Sequence, residues 1–539
     1  MQSVIPVVFV AVILVGCGGG GGSSSSNPGG GNPAGGGGTG GGGNNGNPTP
    51  VPPMVVSAAP QGDAVSVDAA VEITFSKPMK LSSFLTALDG LGVGYEAICV
   101  DTDCKTIRFT QQPQTDLAYN VTYTLTLSTQ VVDKEGNPIP SSYQWSFTTA
   151  PFVPPPSFIT GIAIDGLNGE DSGECTALAI DSSGTIHIVY YSESDGSPKH
   201  AFCPSSVDCS VPGSWTVGFI ENPDPNQKRG RDINLAIEGE TLHVTYRDVD
   251  PPAVGVLGDD KGVLKYVKGE KNLNGTWDWS SPVIVDDTEY GVTDTYIAVN
   301  AGSVHISYRK KGATSPLDTL AYATCSAPCD SPSSWDKVEI DHGNDAGTPS
   351  HIVVTNSAIH ISYYLSGKLT YVTCNTLSGC DPLGDVQTNW ERVFVDDGGV
   401  DHFDVGTENS LAVDGNVIHI TYRDNSNSLL KYARCDNSCT ASPDNWQKVA
   451  IDAAGGSSQI KVDGGALHVS YRDDANKDLK YARCFSNCLS PESWSIQTID
   501  APGEVGLDTY LEVKSGVVHI SYRDAGNKDL KYTRGSSVP

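Results

Sequence analysis

One pattern limits what this chain can fold into. Seven histidines, His187, His243, His305, His360, His419, His468 and His519, are each followed at once by Ile or Val and two residues later by Tyr. Later copies run on as HITYRDNSNSLLKY from 419, HVSYRDDANKDLKY from 468 and HISYRDAGNKDLKY from 519. Successive copies lie 49 to 62 residues apart. Apolar and polar residues alternate with period two inside each copy, which predicts strands and not helices. The fifth copy shows four of them: SLAVD (410–414), VIHITYR (417–423), LLKYARC (429–435) and WQKVAID (446–452). Four-stranded units repeated in this way predict a β-propeller, here with seven blades.

The ends of the repeat array carry a second expectation. Six units own a fourth strand, opening at Trp215, Trp277 or Trp279, Trp335, Trp390, Trp446 and Trp494. The seventh reaches Pro539 without one, while SFITGIAID (157–165) precedes the first unit with Phe158 where Trp belongs. The N-terminal strand is therefore expected to complete the last blade and leave no sheet edge open. The units resemble secreted bacterial propellers bearing HISYYD…GDLKYA…W…ID repeats, which group with sialidase-like folds. That resemblance covers roughly 157–535 and implies a fold more than a function.

Residues 54–150 form a separate block between a Gly-rich stretch and PFVPPPS, with alternation in VEITFS (71–76), YNVTYTLTLS (119–128) and YQWSFTT (143–149). Pro60-Gln61-Gly62, the stretch Ile73 to Met79 and the closing Trp145 to Thr149 are similar to the hallmarks of the SbsA-type bacterial Ig-like domain. The resemblance implies a β-sandwich that acts as spacer or adhesive module. The whole chain is thus expected to be all-β, an Ig-like sandwich followed by a seven-bladed propeller at 157–539, with 151–156 as a Pro-rich linker.

The first residues read MQSVIPVVFVAVILVGCGGG. The apolar run Val4–Val15 is too short to span a bilayer as a mature helix. Its ending, Leu14-Val15-Gly16-Cys17, resembles a bacterial lipobox, although residues 1–16 hold no Lys or Arg. The resemblance implies a signal peptide at 1–16, lipidation of Cys17, and sorting to the outer membrane or cell surface. Residues 17–53 would then be a flexible tether. The formal charge of −29 argues against nucleic acid as a partner, because phosphates need cations to neutralise them. Contact with the membrane is expected through the lipid anchor alone.

Candidate functional residues come mostly with a structural reading. Seven in-phase histidines, one per blade, are splayed around a ring, whereas zinc needs ligands converging at about 2.0–2.1 Å. Two-residue turns between first and second strands set a register that faces Arg247 with Asp232, Arg309 with Asp294, Arg423 with Glu408 and Arg523 with Asp508. Where Tyr191 and Tyr364 replace Arg, Cys175 and Pro349 replace the acid. These arginines are read as cross-strand ion pairs. Arg472 faces Ser457, lacks an acid, and is left as the candidate ligand-binding residue. The Asp-rich loops after the second strands have oxygen ligands for calcium but no full calcium-loop pattern; turn chemistry is the better reading. No cofactor is indicated.

Of 14 cysteines, Cys17 is the lipid site. Cys99/Cys104, Cys203/Cys209, Cys325/Cys329, Cys374/Cys380, Cys435/Cys439 and Cys484/Cys488 are expected as local disulfides in an exported chain, and Cys175 stays a free thiol. No catalytic constellation and no sialidase Asp-box is present. The expectation is a non-enzymatic binding module for an unknown surface glycan or protein, its site among the loops that include 221–232, 248–262 and 396–409. The alternatives are a glycoside hydrolase or lyase using acids such as Asp260, Asp404 and Glu408, and a structural envelope component.

Overall fold

Strand-forming residues alternate throughout, and the computed structural model is all-β. It describes residues 51–536 apart from 66, 68, 92–93, 113–116, 151–152, 224–227, 250–261, 289, 313–317, 327, 376–379, 381–388 and 400–403. Among the described residues the only helical segments are short 3-10 turns. The expected signal peptide, Cys17, nearly all of the tether and Asp260 lie outside the described residues.

In the N-terminal block, Val71–Phe75 buries every second residue, as a half-buried strand should. Two four-stranded sheets result, and Ile73, Ile107, Leu125 and Phe147 from both lie in one core. Cys99 is bonded to Cys104.

Beyond the linker, seven sheets follow one another at 172–219, 228–286, 292–343, 350–396, 405–453, 455–500 and 505–536, each with its strands hydrogen-bonded in sequence order. The last sheet has three strands of its own. Its fourth position is filled from the start of the array: Ile162 pairs with Tyr532, Ala163 with Lys531 and Phe158 with Gly535. First strands of successive sheets pack side by side, and that of the seventh packs against that of the first.

The repeated motif is the mortar of this arrangement. In six sheets the histidine shares a hydrogen bond with the Tyr of LKY or its equivalent on the third strand: His243–Tyr266 at 2.8 Å, His305–Tyr322 at 2.6 Å and His519–Tyr532 at 2.7 Å, for example. The edge of that Tyr receives a ring from the next sheet, as Trp335 does on Tyr266 and Trp494 on Tyr432. Phe158 takes this place for the last sheet, packing on Tyr481 at 5.1 Å between centroids. The second-strand Tyr donates backwards to the acid that ends the preceding sheet: Tyr422 to Asp396, Tyr471 to Asp452, Tyr522 to Asp500, and Tyr190 to Asp165. A lysine neutralises the same acid, as Lys480 does Asp452 at 2.9 Å. In the first sheet His200 replaces the Tyr, and His187 bridges it to Asp181.

Five disulfides, Cys203–Cys209, Cys325–Cys329, Cys374–Cys380, Cys435–Cys439 and Cys484–Cys488, close the loop after the third strand. In three of these loops a cysteine carbonyl accepts the indole N–H of the following Trp, at Trp215, Trp446 and Trp494. Cys175 is a free thiol.

Candidate functional site

The expected register holds through the first-to-second-strand turns, where Leu411 faces Ile420 and Val413 faces Ile418. It fails by one residue at the arginines. Arg247 pairs with Arg231, Arg309 with Thr293, Arg423 with Thr407, Arg472 with Gly456 and Arg523 with Leu507. The cause is a β-bulge at the start of the first strand in every sheet but the fourth, which inserts an extra residue and bends the chain. The bulged residues Cys175, Asp232, Asp294, Glu408, Ser457 and Asp508 all adopt left-handed backbone with φ between 47 and 55°. Non-glycine residues rarely adopt that conformation unless their surroundings impose it.

Those surroundings are the neighbouring bulges. The Asp232 carboxylate accepts the Asp294 N–H at 3.3 Å, that of Asp508 accepts the Cys175 N–H at 3.0 Å, and that of Glu408 accepts the Ser457 N–H at 2.7 Å. Behind each, a hydroxyl of the next sheet donates to the bulge carbonyl: Thr295 to Asp232, Thr176 to Asp508 and Ser458 to Glu408. Four acids thereby lie at one end of their sheets, the end where second strands turn into third strands.

Two residues further along, side chains of the same strands meet. Tyr296 of the third sheet and Tyr510 of the seventh, which are not neighbouring sheets, meet hydroxyl to hydroxyl at 2.8 Å. Gln459 accepts from Tyr296 at 3.4 Å and from Ser410 at 3.2 Å, and the His351 ring lies 3.8 Å from that of Tyr296. These side chains make an aromatic and polar floor two positions beyond the bulged acids on the same strands.

Charge on these acids is unevenly compensated. Arg247 Nε lies 2.9 Å from Asp232. Arg309 reaches Asp294 only at 3.9 Å and spends its guanidinium on Asp318 at 2.5 Å and Asp345 at 2.8 Å. Asp294 is accordingly pushed up to about 6, by burial first and by the neighbouring Asp232 carboxylate second. Burial also raises Asp508. Arg523 binds Glu174 and Asp171 of the first sheet, not the Asp508 expected opposite it. Arg423 binds Asp474, with Glu408 at 3.6 Å. Arg472 does not lack an acid, as the expected register implied. Its guanidinium stands 3.6 Å from Asp474, although its buried Nε has no hydrogen-bond partner.

Other sequence candidates sit elsewhere. Asp404 braces a turn, accepting from Tyr364 at 3.0 Å and Asn425 at 3.2 Å. Asp424, Asp473 and Asp524, in the Asp-rich loops, accept turn amides from Asn427, Asn476 and Asn527. Among the described residues no group of three His, Cys, Asp or Glu is placed to hold a metal ion. Burial pushes the Cys175 thiol well up, away from the thiolate form. Residues 250–261, most of the longest expected loop, lie outside the described residues.

Sequence reasoning paired the acids with arginines and so missed that Asp232 and Asp294 stand together. It missed the floor as well, although a signal was present. The position two after each bulge, with its counterpart His351 in the fourth sheet, reads Ala177, Asn234, Tyr296, His351, Ser410, Gln459 and Tyr510, a place where the repeat abandons its repetition.

Residues 49–149 match the family model of a bacterial Ig-like domain. No curated protein matches the chain. Among solved structures, a Trypanosoma rangeli sialidase in complex with sialic acid aligns over 71% of this chain and 59% of its own, with 10% identity and a TM-score of 0.40. A polysaccharide lyase aligns over 67% and 90%, with 11% identity and a TM-score of 0.42. An ulvan lyase bound to a saccharide aligns over 70% and 96%, again with 11% identity and 0.42. The chain spans less than two thirds of the sialidase it matches. The expectation that the chain is not an enzyme finds no support here: the solved structures named above are a sialidase and polysaccharide lyases. The choice of candidate residues rests on the chain's own geometry. The Ig-like module and six disulfides mark an extracellular protein.

Proposed function

We propose that the seven sheets are the blades of a closed propeller, and that a pit on its axis is the active site of a carbohydrate-active enzyme, a glycoside hydrolase or lyase. The observation that carries this reading is the juxtaposition of Asp232 and Asp294 above the Tyr296–Tyr510 floor. Hydrolysis of a glycosidic bond commonly pairs one carboxyl group that holds a proton with a second that acts as carboxylate. Asp294, little compensated and raised toward neutrality, suits the first role; Asp232, held by Arg247, suits the second.

The test is turnover by the full chain on a panel of neutral, sialylated and uronate-containing polysaccharides. Reducing ends report hydrolysis, and absorbance of an unsaturated product reports elimination. Asp294→Asn is expected to lower kcat by roughly 10²- to 10⁴-fold while substrate binding persists. Turnover unchanged in that variant, or no product from any polysaccharide between pH 4 and 8, would remove the pit from consideration.

The same reading takes the chain as exported and anchored through a lipid on Cys17, with the Ig-like module as a stalk. Metabolic labelling with palmitate is expected to mark the wild-type chain and to leave Cys17→Ser unlabelled; equal labelling of both would refute the anchor.

A further inference from the structure

The end of the ring opposite the pit carries a second cavity. There first strands turn into second strands, and third strands run into the disulfide loops. Between the second and third sheets lies a groove of about 640 Å³. Its tryptophan lining goes with a substitution within the repeat. The third-strand position that pairs with Leu242 is Gly269, whereas its counterparts opposite Ile186, Val304, Ile359, Ile418 and Leu467 are the disulfide cysteines Cys203, Cys325, Cys374, Cys435 and Cys484. The second sheet has no cysteine pair. Trp279, the cross-strand partner of Gly269, lays its ring where a side chain at 269 would stand, with an added Cβ only 2.8 Å from the indole.

Backbone therefore supports the Trp279 indole, which is half-buried and lines the groove together with Tyr266 and His243. Around it stand Glu238, Glu270 and Asp278, with Lys268 already paired to Glu270 at 2.6 Å. A fixed aromatic surface ringed by hydrogen-bond acceptors fits the ring C–H face and hydroxyls of a sugar. The surplus of carboxylates disfavours an anionic one. A comparable groove of about 590 Å³ between the fourth and fifth sheets is lined by His360 and Tyr371 but by no tryptophan.

We infer that the groove between the second and third sheets is a binding subsite for neutral oligosaccharides, separate from the pit and independent of its chemistry. The test is calorimetric titration of the full chain with cellotetraose, mannotetraose and chitotetraose, and with a galacturonate tetramer as the anionic comparison. At least one neutral tetramer is expected to bind, with affinity reduced about tenfold or more in Trp279→Ala, since stacking on an aromatic ring is worth on the order of 1 kcal/mol beyond the area it buries. Binding is expected to be intact in Asp294→Asn, which separates this site from the pit. Should Trp279→Ala lower the melting temperature, the exposed Asp278→Ala reads the same loss without disturbing the core. No binding of any neutral tetramer, tighter binding of the galacturonate, or undiminished binding in these groove variants would overturn the inference.

Discussion

Six imidazoles, those of His243, His305, His360, His419, His468 and His519, are each lowered to about 4 by burial. An exposed histidine in the unfolded chain titrates near 6.5, so between pH 6.5 and 4 the unfolded state binds more protons than the folded one. Stability supplied by these residues is therefore complete above pH 6.5 and falls as pH drops toward 4. Each accounts for up to about 3 kcal/mol over that interval, and six together rival the whole stability of a domain. The melting temperature of the seven-sheet array is expected to drop steeply from pH 6.5 to 4. A flat profile over that range would contradict neutral, buried imidazoles. The residue type and its periodicity were plain in the sequence. What each histidine touches was not, because its partner Tyr lies on another strand.

At the scale of the element, strands and turns were legible because period-two alternation and two-residue turns are local. Leu411 and Ile420 face each other as the turn at Gly415-Asn416 requires. The bulges were not legible. A bulge changes the count of residues on one strand without changing their pattern, so Arg423 slips from Glu408 to Thr407 with no mark in the sequence. That slip matters most for function. It frees the acids from strict cross-strand pairing, turns their backbone left-handed, and lets Asp232 hold the amide of Asp294 in the next sheet. The two acids, 62 residues apart in the chain, meet only because two sheets stand side by side, and nothing in either repeat alone reveals it.

At the scale of the whole molecule, the last sheet depends on the first strand of the array. Phe158 lies over Gly535, where an added Cβ would come within 2.8 Å of its ring, and packs edge-on against Tyr481. The Thr533 hydroxyl donates to the Ile159 carbonyl beside it. These contacts join residues more than 320 positions apart, so their energy is available only after the intervening sheets are in place. Phe158→Ala removes a ring that serves as both filler and inter-sheet clamp, and is expected to cost about 3–5 kcal/mol. Because the first strands of the first and seventh sheets pack together, that loss should not stay local. The variant is expected to release 157–165 from Asp529–Ser536 and to expose that strand's unpaired edge, lowering the melting temperature and admitting protease near residue 165. The N-terminal block, with its separate core, should melt as before. Early cleavage at this site together with an unchanged Ig-like transition would show that the fourth strand of the last sheet is what holds the seven together. Wild-type melting and protease resistance would show instead that the inter-sheet Tyr–Asp and Trp–Tyr contacts suffice without it.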